Sequence, residues 1–244
     1  GYLAACSDGT KGVWGGGYGS SLFNVIDYVT IATTGNAIDF GDLTVARRQL
    51  AACSDGTKGV FGGGYSNVDP YNHNVMDYVT IASTGNAIDF GDLTLARRRL
   101  ASCSDGTKGL WGGGATSNVI DYVTIATTGN AIDFGDLTVA RYGLAACSDG
   151  TKGVWGGGTT GGNSNVIDYV TIATTGNATD FGDLTVARQN TSACSDGTKG
   201  VFGGGYVSGN SNVIDYVTIA TPGNASDFGD LSVARYYISA CSGN

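Results

Sequence analysis

The amino-acid sequence predicts an all-β fold, and three observations lead to this prediction. Glycine is unusually frequent, at 42 of 244 residues, and all 21 acidic residues are aspartate. Strong helix formers are scarce, whereas Val, Ile, Thr, Tyr and Phe recur throughout the chain. The same phrases also return five times, nearly unchanged, as in "TTGNAIDFGDLTVAR" at 33–47. Repeated short strands account for these features better than helices do.

The cysteines mark an internal repeat of about 47 residues. They are Cys6, Cys53, Cys103, Cys147, Cys194 and Cys241. All variation in repeat length falls between the "GGG" and the "NV" of each unit. We therefore predict one domain, 1–244. It consists of five units and a closing strand, at 1–47, 48–97, 98–141, 142–188, 189–235 and 236–244.

Each unit contains four strand candidates, here described for the second unit. "QLAACSD" (49–55) and "KGVFGGG" (58–64) are joined by an Asp-Gly dipeptide that suits a hairpin turn. "NVMDYVTIAS" (74–83) and "AIDFGDLTLA" (87–96) are separated by a Thr-Gly-Asn turn. The first strand carries small side chains, which suits the crowded centre of a ring.

The third strand is apolar on both faces, which indicates that neighbouring units cover it on both sides. Four-stranded units of this length, each packed between two others, are typical of a β-propeller. We predict a five-bladed propeller with antiparallel blades, and a flat solenoid is the alternative. Because "YYISACSGN" repeats the first strand a sixth time, we expect the two termini to meet in one blade and close the ring. A disulfide between Cys6 and Cys241 is a further option, whereas the other cysteines are read as small apolar filler.

Two resemblances add to this interpretation. The order Arg47, Asp55-Gly56, Phe61-Gly62-Gly63, Tyr78 and Phe90 resembles the kelch repeat, although kelch blades usually carry Trp where Phe90 stands. The kelch-like pattern covers all five units. The phrases "NVIDYVTIATTGNA" and "DFGDLTVAR" resemble repeat regions of predicted phage tail-fibre and virion-surface proteins. That second resemblance implies a virion or extracellular location.

Charge and composition exclude several functional classes. A net charge of −8 disfavours nucleic acid as a partner, and no apolar run is long enough for membrane insertion by a helix. With one histidine and no glutamate, we expect no enzyme activity, no cofactor and no metal. The repeated aspartates are interpreted as turn formers and as hydrogen-bond acceptors for strand ends, and a calcium site at Asp39 and Asp42 is the alternative.

One face of the propeller collects the residues that differ between units. The loops between strands two and three, and those between blades, emerge on this face, while the opposite face is nearly identical in every unit. Variable loops rich in Tyr and Arg indicate a recognition surface, and unconstrained drift of loop tips is the alternative. The predicted ligand-binding residues are Tyr18, Arg48, Tyr65, Tyr71, His73, Arg98, Tyr142, Asn190, Tyr206 and Tyr236.

A second candidate site lies between the blades. Aromatic residues that precede the glycines could stack on sugar rings in five equivalent pockets, or they could fill the blade interfaces. These residues are Trp14, Phe61, Trp111, Trp155 and Phe202. We predict a non-enzymatic adhesin whose partner is a cell-surface glycan or receptor. The alternative is a structural propeller that contacts other virion or appendage subunits, and a homo-oligomer is compatible with both.

Overall fold

The structure, a computed structural model, describes residues 1–240 of the chain. Its strands form five sheets of four, and all paired strands run antiparallel in chain order. The first three sheets consist of β1 (Ala4–Ser7), β2 (Lys11–Gly15), β3 (Val25–Thr30), β4 (Ile38–Asp42), β5 (Ala51–Ser54), β6 (Lys58–Gly62), β7 (Val75–Thr80), β8 (Ile88–Asp92), β9 (Ala101–Ser104), β10 (Lys108–Gly112), β11 (Val119–Thr124) and β12 (Ile132–Asp136). The last two consist of β13 (Ala145–Ser148), β14 (Lys152–Gly156), β15 (Val166–Thr171), β16 (Thr179–Asp183), β17 (Ser192–Ser195), β18 (Lys199–Gly203), β19 (Val213–Thr218) and β20 (Ser226–Asp230).

The five sheets are the blades of a β-propeller, numbered here 1 to 5 in chain order. Their first strands, β1, β5, β9, β13 and β17, surround a central channel. The predicted five-bladed fold is therefore confirmed, and the flat solenoid is excluded. The small side chains of the first strand, such as Ala51 and Ala52, line the channel.

Turn chemistry explains why the repeat folds into tight hairpins. In blade 2, the carboxylate Oδ1 of Asp55 accepts the backbone N–H groups of Thr57 and Lys58, both at 2.7 Å. Gly56 takes a φ of +82°, which most side chains would strain. The aspartates of the "SDGTKG" phrase are thus turn formers, as predicted.

The hydrophobic core is divided among the blade interfaces. Phe40 and Leu43 of blade 1 pack in one buried cluster with Phe61, Val79 and Ile81 of blade 2. Equivalent clusters join blades 2 and 3, 3 and 4, and 4 and 5. This arrangement explains the third strand of blades 2 to 4, whose two apolar faces are covered by the two neighbouring blades.

A buried ion pair crosses each of these four interfaces. Arg47 at the end of blade 1 reaches Asp77 on β7 at 2.7 Å, and both side chains are fully buried. Thr44 donates its hydroxyl and its backbone N–H to the same carboxylate. The equivalent pairs are Arg97–Asp121, Arg141–Asp168 and Arg188–Asp215. Our interpretation of the aspartates as turn formers is wrong for this position, because these carboxylates hold adjacent blades together.

Burial sets the protonation behaviour of the interface. It raises the pKa of Asp121 although Arg97 acts in the opposite direction, and it lowers the pKa of Arg97. Desolvation and charge pairing therefore oppose one another at the same contact. The attraction between the two charges offsets part of the free-energy cost of burying them.

The termini meet at the channel and close the ring, as predicted. They do not meet in one blade, because the first sheet holds only β1 to β4 and the closing segment takes a place of its own. The backbone N–H of Tyr237 donates to the carbonyl of Asn190 at 3.3 Å, and the Ser239 hydroxyl donates to the carbonyl of Leu3 at 3.0 Å. The segment 237–240 thus lies between β17 and β1 and completes the innermost layer. The disulfide considered between Cys6 and Cys241 lies outside the described residues.

The central cysteines are structural filler, as predicted. Cys53, Cys103 and Cys147 are buried and form no disulfide. Burial is the main cause that raises the pKa of each of these thiols, which keeps them in the unreactive protonated form.

Candidate binding surface at the mouth of the channel

The variable loops meet on one surface around the channel mouth. Isolated antiparallel β-bridges join the loops of neighbouring blades. In each bridge, one residue directly follows the interface arginine of a blade, and the other directly follows the "GGG" of the next blade. Such bridges form at Arg48–Tyr65, Tyr142–Thr159 and Gln189–Tyr206. At the start of the chain, the amino group of Gly1 donates to the carbonyl of Tyr18 at 2.9 Å. The structure therefore places the predicted loops side by side.

The rim of the mouth is a ring of residues with left-handed backbone conformation. They occupy the same repeat position, with φ between +55° and +71°. They are Tyr2, Gln49, Arg99, Gly143, Asn190 and Tyr237. A positive φ is uncommon for residues other than glycine and costs roughly 1 kcal/mol or more. Such strain, repeated at the rim of a cavity of about 170 Å³, marks this end of the channel as a candidate site.

Arginine and tyrosine side chains interleave on one side of the mouth. The Arg48 guanidinium lies 4.6 Å from the ring centre of Tyr18, 5.2 Å from that of Tyr65 and 5.5 Å from that of Tyr2. Arg98 stacks on the same Tyr65 ring at 4.6 Å. These cation–π contacts restrain the two arginine side chains, and Arg98 also donates a hydrogen bond to Oδ1 of Asn72 at 3.4 Å.

Two pairs of tyrosines extend the surface outward. Tyr71 lies nearly parallel to Tyr65, with ring centres 6.1 Å apart, and 54 % of Tyr71 is exposed. Tyr206 and Tyr236 lie 5.6 Å apart and are both partly exposed. Aromatic faces are thus offered to solvent beside the arginines.

The opposite side of the mouth completes the cluster. Arg99 lies 5.4 Å from the ring centre of Tyr142 and 5.8 Å from that of Tyr237. The rings of Tyr2 and Tyr237 are 4.1 Å apart. Burial and a hydrogen bond with Tyr2 raise the pKa of Tyr237 to about 12, although Arg99 acts in the opposite direction.

Two predicted site residues are not on the accessible surface. His73, which we predicted as a ligand-binding residue, is only 7 % exposed. Burial lowers its pKa, and Arg47 acts in the same direction, so the neutral imidazole is favoured. Asn190 is 8 % exposed, and its backbone joins the rim while its side chain contributes little surface.

The predicted pockets between blades are closed. Phe61, Trp111, Trp155 and Phe202 are fully buried, so no sugar ring can reach them in this structure. The indole N–H of Trp111 donates to the Ala51 carbonyl of the preceding blade at 3.2 Å. These four aromatics fill the blade interfaces, which was the alternative interpretation. Trp14 differs, because it is only partly buried.

The opposite end of the channel is a wider cavity of about 440 Å³ lined by serines, cysteines and the turn aspartates. Those carboxylates already accept backbone N–H groups, as at Asp105 and Asp149. Among residues 1–240, no group of three or more His, Cys, Asp or Glu is arranged to hold a metal ion. The calcium site at Asp39 and Asp42 gains no support from this geometry.

Only one of the six rim residues, Asn190, was among the predicted site residues. The signal for the others was present, because all six occupy the same repeat position, four residues before the cysteine. The missed residues are Tyr2, Gln49, Arg99, Gly143 and Tyr237. Nothing in the letters themselves predicts that this position takes a left-handed conformation in every unit.

Comparisons with known proteins do not assign the chain to a family. No protein-family model matches it, and no curated protein is significantly similar to it. The kelch and phage resemblances thus rest only on the residues that carry them. Within the part of the chain that the structure describes, no helix is long and apolar enough to cross a membrane.

Proposed function

We propose that the protein is a non-enzymatic carbohydrate-binding module that acts on a virion or another extracellular appendage. The observation that carries this proposal is the cluster of Arg48, Arg98, Tyr65 and Tyr71 at the channel mouth. Its tyrosines and arginines are stacked in fixed positions before any ligand arrives. Preorganised side chains lose little conformational entropy on binding.

The chemistry of the cluster suits a sugar. A tyrosine face packs on the C–H groups of a pyranose ring, and the hydroxyl and guanidinium groups around it bind sugar oxygens. Tyr71 presents the most exposed of the cluster's rings, at 54 %. Arg98 contacts the same Tyr65 ring that Tyr71 stacks with, within reach of the same ligand.

The arginines favour an acidic glycan over a neutral one. The planar donor edge of a guanidinium pairs with carboxylate or sulfate groups. Arg48, Arg98 and Arg99 bring three positive charges to one mouth, in a chain whose net charge is −8. The extracellular location is supported only by the resemblance of the repeat phrases to those of virion-surface proteins.

The test is a screen of the purified chain on an array of neutral and acidic glycans, with Tyr71→Ala and Arg98→Ala as variants. We expect a specific acidic hit whose affinity falls at least tenfold in each variant, with an unchanged melting temperature. Thr84→Ala is the control, because this exposed residue lies in a loop on the opposite face. A glycan whose affinity is unchanged in both variants would show that the binding site lies elsewhere.

The alternative function is a structural module for virion or appendage assembly. The observation that favours it is an uncovered blade surface between blades 5 and 1, where Phe228 and Ile31 are about half exposed. The absence of any glycan hit would make assembly the leading function. The two functions use different surfaces, so one molecule can serve both.

A further inference from the structure

The innermost layer of the propeller has six places, although the chain supplies five blades. Each rim residue after Tyr2 donates its backbone N–H to the carbonyl of the equivalent residue one place earlier. This series runs Gln49 to Tyr2, Arg99 to Gln49, Gly143 to Arg99, Asn190 to Gly143 and Tyr237 to Asn190, over 2.6–3.3 Å. The segment 237–240 therefore fills a sixth place, where the first strand of another blade would stand.

The outer layers leave a wedge at that sixth place. At the four complete interfaces, the phenylalanine of the fourth strand is 2–3 % exposed, but the equivalent Phe228 of blade 5 is 55 % exposed. The isoleucine that follows the third strand is fully buried in blades 2 to 5, but Ile31 of blade 1 is 48 % exposed. We call this surface the seam: Phe228, Leu231 and Arg235 on blade 5, and Trp14, Asp27 and Ile31 on blade 1.

The charges at the seam are those of an interface that has not formed. Asp27 and Arg235 occupy the ion-pair positions of the repeat, yet both are exposed and neither forms an ion pair within residues 1–240. Lys199 is also exposed, whereas the equivalent Lys58 donates its Nζ to a carbonyl of the next blade at 2.6 Å. Blade 5 thus presents two cations and blade 1 presents an anion.

The backbone at the seam is equally open. In blades 1 to 4, a Cβ at the fourth-strand glycine would collide with the backbone of the next blade's turn, as at Gly91, where it would lie 2.5 Å from Gly129. The equivalent Gly229 of blade 5 has no such neighbour within 4 Å among the described residues. Within a complete interface, the backbone N–H of Asp42 donates to Oδ1 of Asn86 in the next blade. Among residues 1–240, the equivalent N–H of Asp230 has no such asparagine acceptor.

We propose that the seam is a docking surface for a partner polypeptide that carries strands two to four of this same repeat. Such a segment presents an aspartate to Arg235 on one side and an arginine to Asp27 on the other. Its third strand covers Phe228, and its fourth strand covers Trp14 and Ile31. The four complete interfaces of the chain are the template for both contacts.

The segment 237–240, which fills the sixth place of the innermost layer, limits which partner segment can bind at the seam. A whole blade of a second copy of this chain would bring its own first strand, and residues 237–240 already occupy that place. The partner must therefore lack a first strand and pair its second strand beside the closing segment. Residues 151–188, which hold β14 to β16, have this composition.

The experiment mixes the full chain with a separate peptide of residues 151–188 and measures binding by calorimetry and melting temperature. We expect saturable one-to-one binding and a higher melting temperature. Asp27→Ala or Arg235→Ala in the chain should weaken binding at least tenfold without changing the melting temperature of the chain alone. Asp121→Ala is unsuitable as a control because it breaks an existing interface, so Thr84→Ala serves.

An extended chain guards against a peptide that fails to fold alone. Asn244 occupies the same repeat position as Gly150, so a copy of residues 151–188 can follow Asn244 in register. If this extended chain gains stability that Arg235→Ala removes, the seam accepts the repeat. If the extended chain gains this stability but the free peptide does not bind, the proposal of a separate partner polypeptide is overturned. The seam would then accept the repeat only when it is covalently joined to the chain.

No gain in stability and no peptide binding would overturn the proposal. Dimerisation of the unmodified chain that Asp27→Ala abolishes would also overturn it, because a second copy would then be the occupant. Neither result would affect the glycan screen, which concerns the channel mouth.

Discussion

At the scale of single residues, the aspartate of the third strand forms a buried ion pair in blades 2 to 5 and is exposed in blade 1. Asp77, Asp121, Asp168 and Asp215 are fully buried against an arginine, whereas Asp27, with the same sequence neighbours, is exposed. Neighbouring residues along the chain therefore do not determine the role of this carboxylate. The adjacent blade does, because it alone supplies the arginine.

This difference predicts unequal effects of one substitution. Asp121→Ala leaves the buried Arg97 guanidinium without a counter-charge and should lower the free energy of unfolding by about 3–5 kcal/mol. Asp27→Ala, at the equivalent exposed position, should change it by less than about 0.5 kcal/mol. Urea unfolding measures both, and similar losses for the two variants would show that the ion pair contributes little.

At the scale of the strands, close approach between blades depends on glycine in the second strand. A Cβ on Gly62 would lie 2.8 Å from Nε1 of Trp111 in the next blade. The equivalent Gly203 of blade 5 faces the seam, and its nearest neighbour would be Ile214 at 3.9 Å. The same residue type is thus required at one strand and dispensable at another.

Alanine substitution separates these two environments. Gly62→Ala forces the Trp111 ring away from its place and should cost about 1–3 kcal/mol in the free energy of unfolding. Gly203→Ala should stay within about 0.5 kcal/mol of the wild type, since nothing obstructs the added methyl group. Thermal and urea melts compare them, and an unchanged Gly62→Ala variant would contradict the close-packed interface.

At the scale of the whole molecule, closure depends on contacts between residues far apart in the chain. The rings of Tyr2 and Tyr237 touch across the closing point, and Ser239 binds the carbonyl of Leu3. Burial and the hydrogen bond with Tyr2 raise the pKa of Tyr237 above its ordinary value near 10, to about 12.

Closure should therefore weaken in alkaline solution. Because the folded-state pKa is raised, the contribution of neutral Tyr237 is fully present below pH 10 and is lost as the pH rises towards 12. The melting temperature of the wild type should fall more steeply over this range than that of Tyr237→Phe. A difference absorbance titration of the two proteins should show one phenol titrating near pH 12, and identical profiles would contradict the buried contact.

Most of the fold could be predicted from the sequence, because each repeat contains the same strand and turn patterns. Five copies of four strand patterns, with glycines and Asp-Gly turns at fixed places, leave few alternatives, and the small first strand indicated the inner layer. The buried ion pairs were not predicted, because the local sequence around a strand aspartate is the same whether the carboxylate faces solvent or an arginine of the preceding blade.

The sequence indicated which loops lie together but not how their side chains are arranged. Variation between units indicated these loops, and the structure brings Arg48, Arg98, Tyr65 and Tyr71 together. That they bind a ligand stays a prediction. His73 was misjudged since burial of a loop residue depends on how the loop folds back over the blade. The seam was invisible in the sequence, because the sixth first strand indicated closure without showing that closure needs a sixth place.

The uncovered seam also gives the ring two ends. Each blade is stabilised mainly by its two neighbours, as in a one-dimensional array whose units interact only with the next. Blades 1 and 5 each lack one such neighbour beyond the innermost layer, so local unfolding begins there and proceeds inward. Blade 3, equally distant from both ends, is then the last to lose its structure, and protection of its backbone amides approaches that of global unfolding.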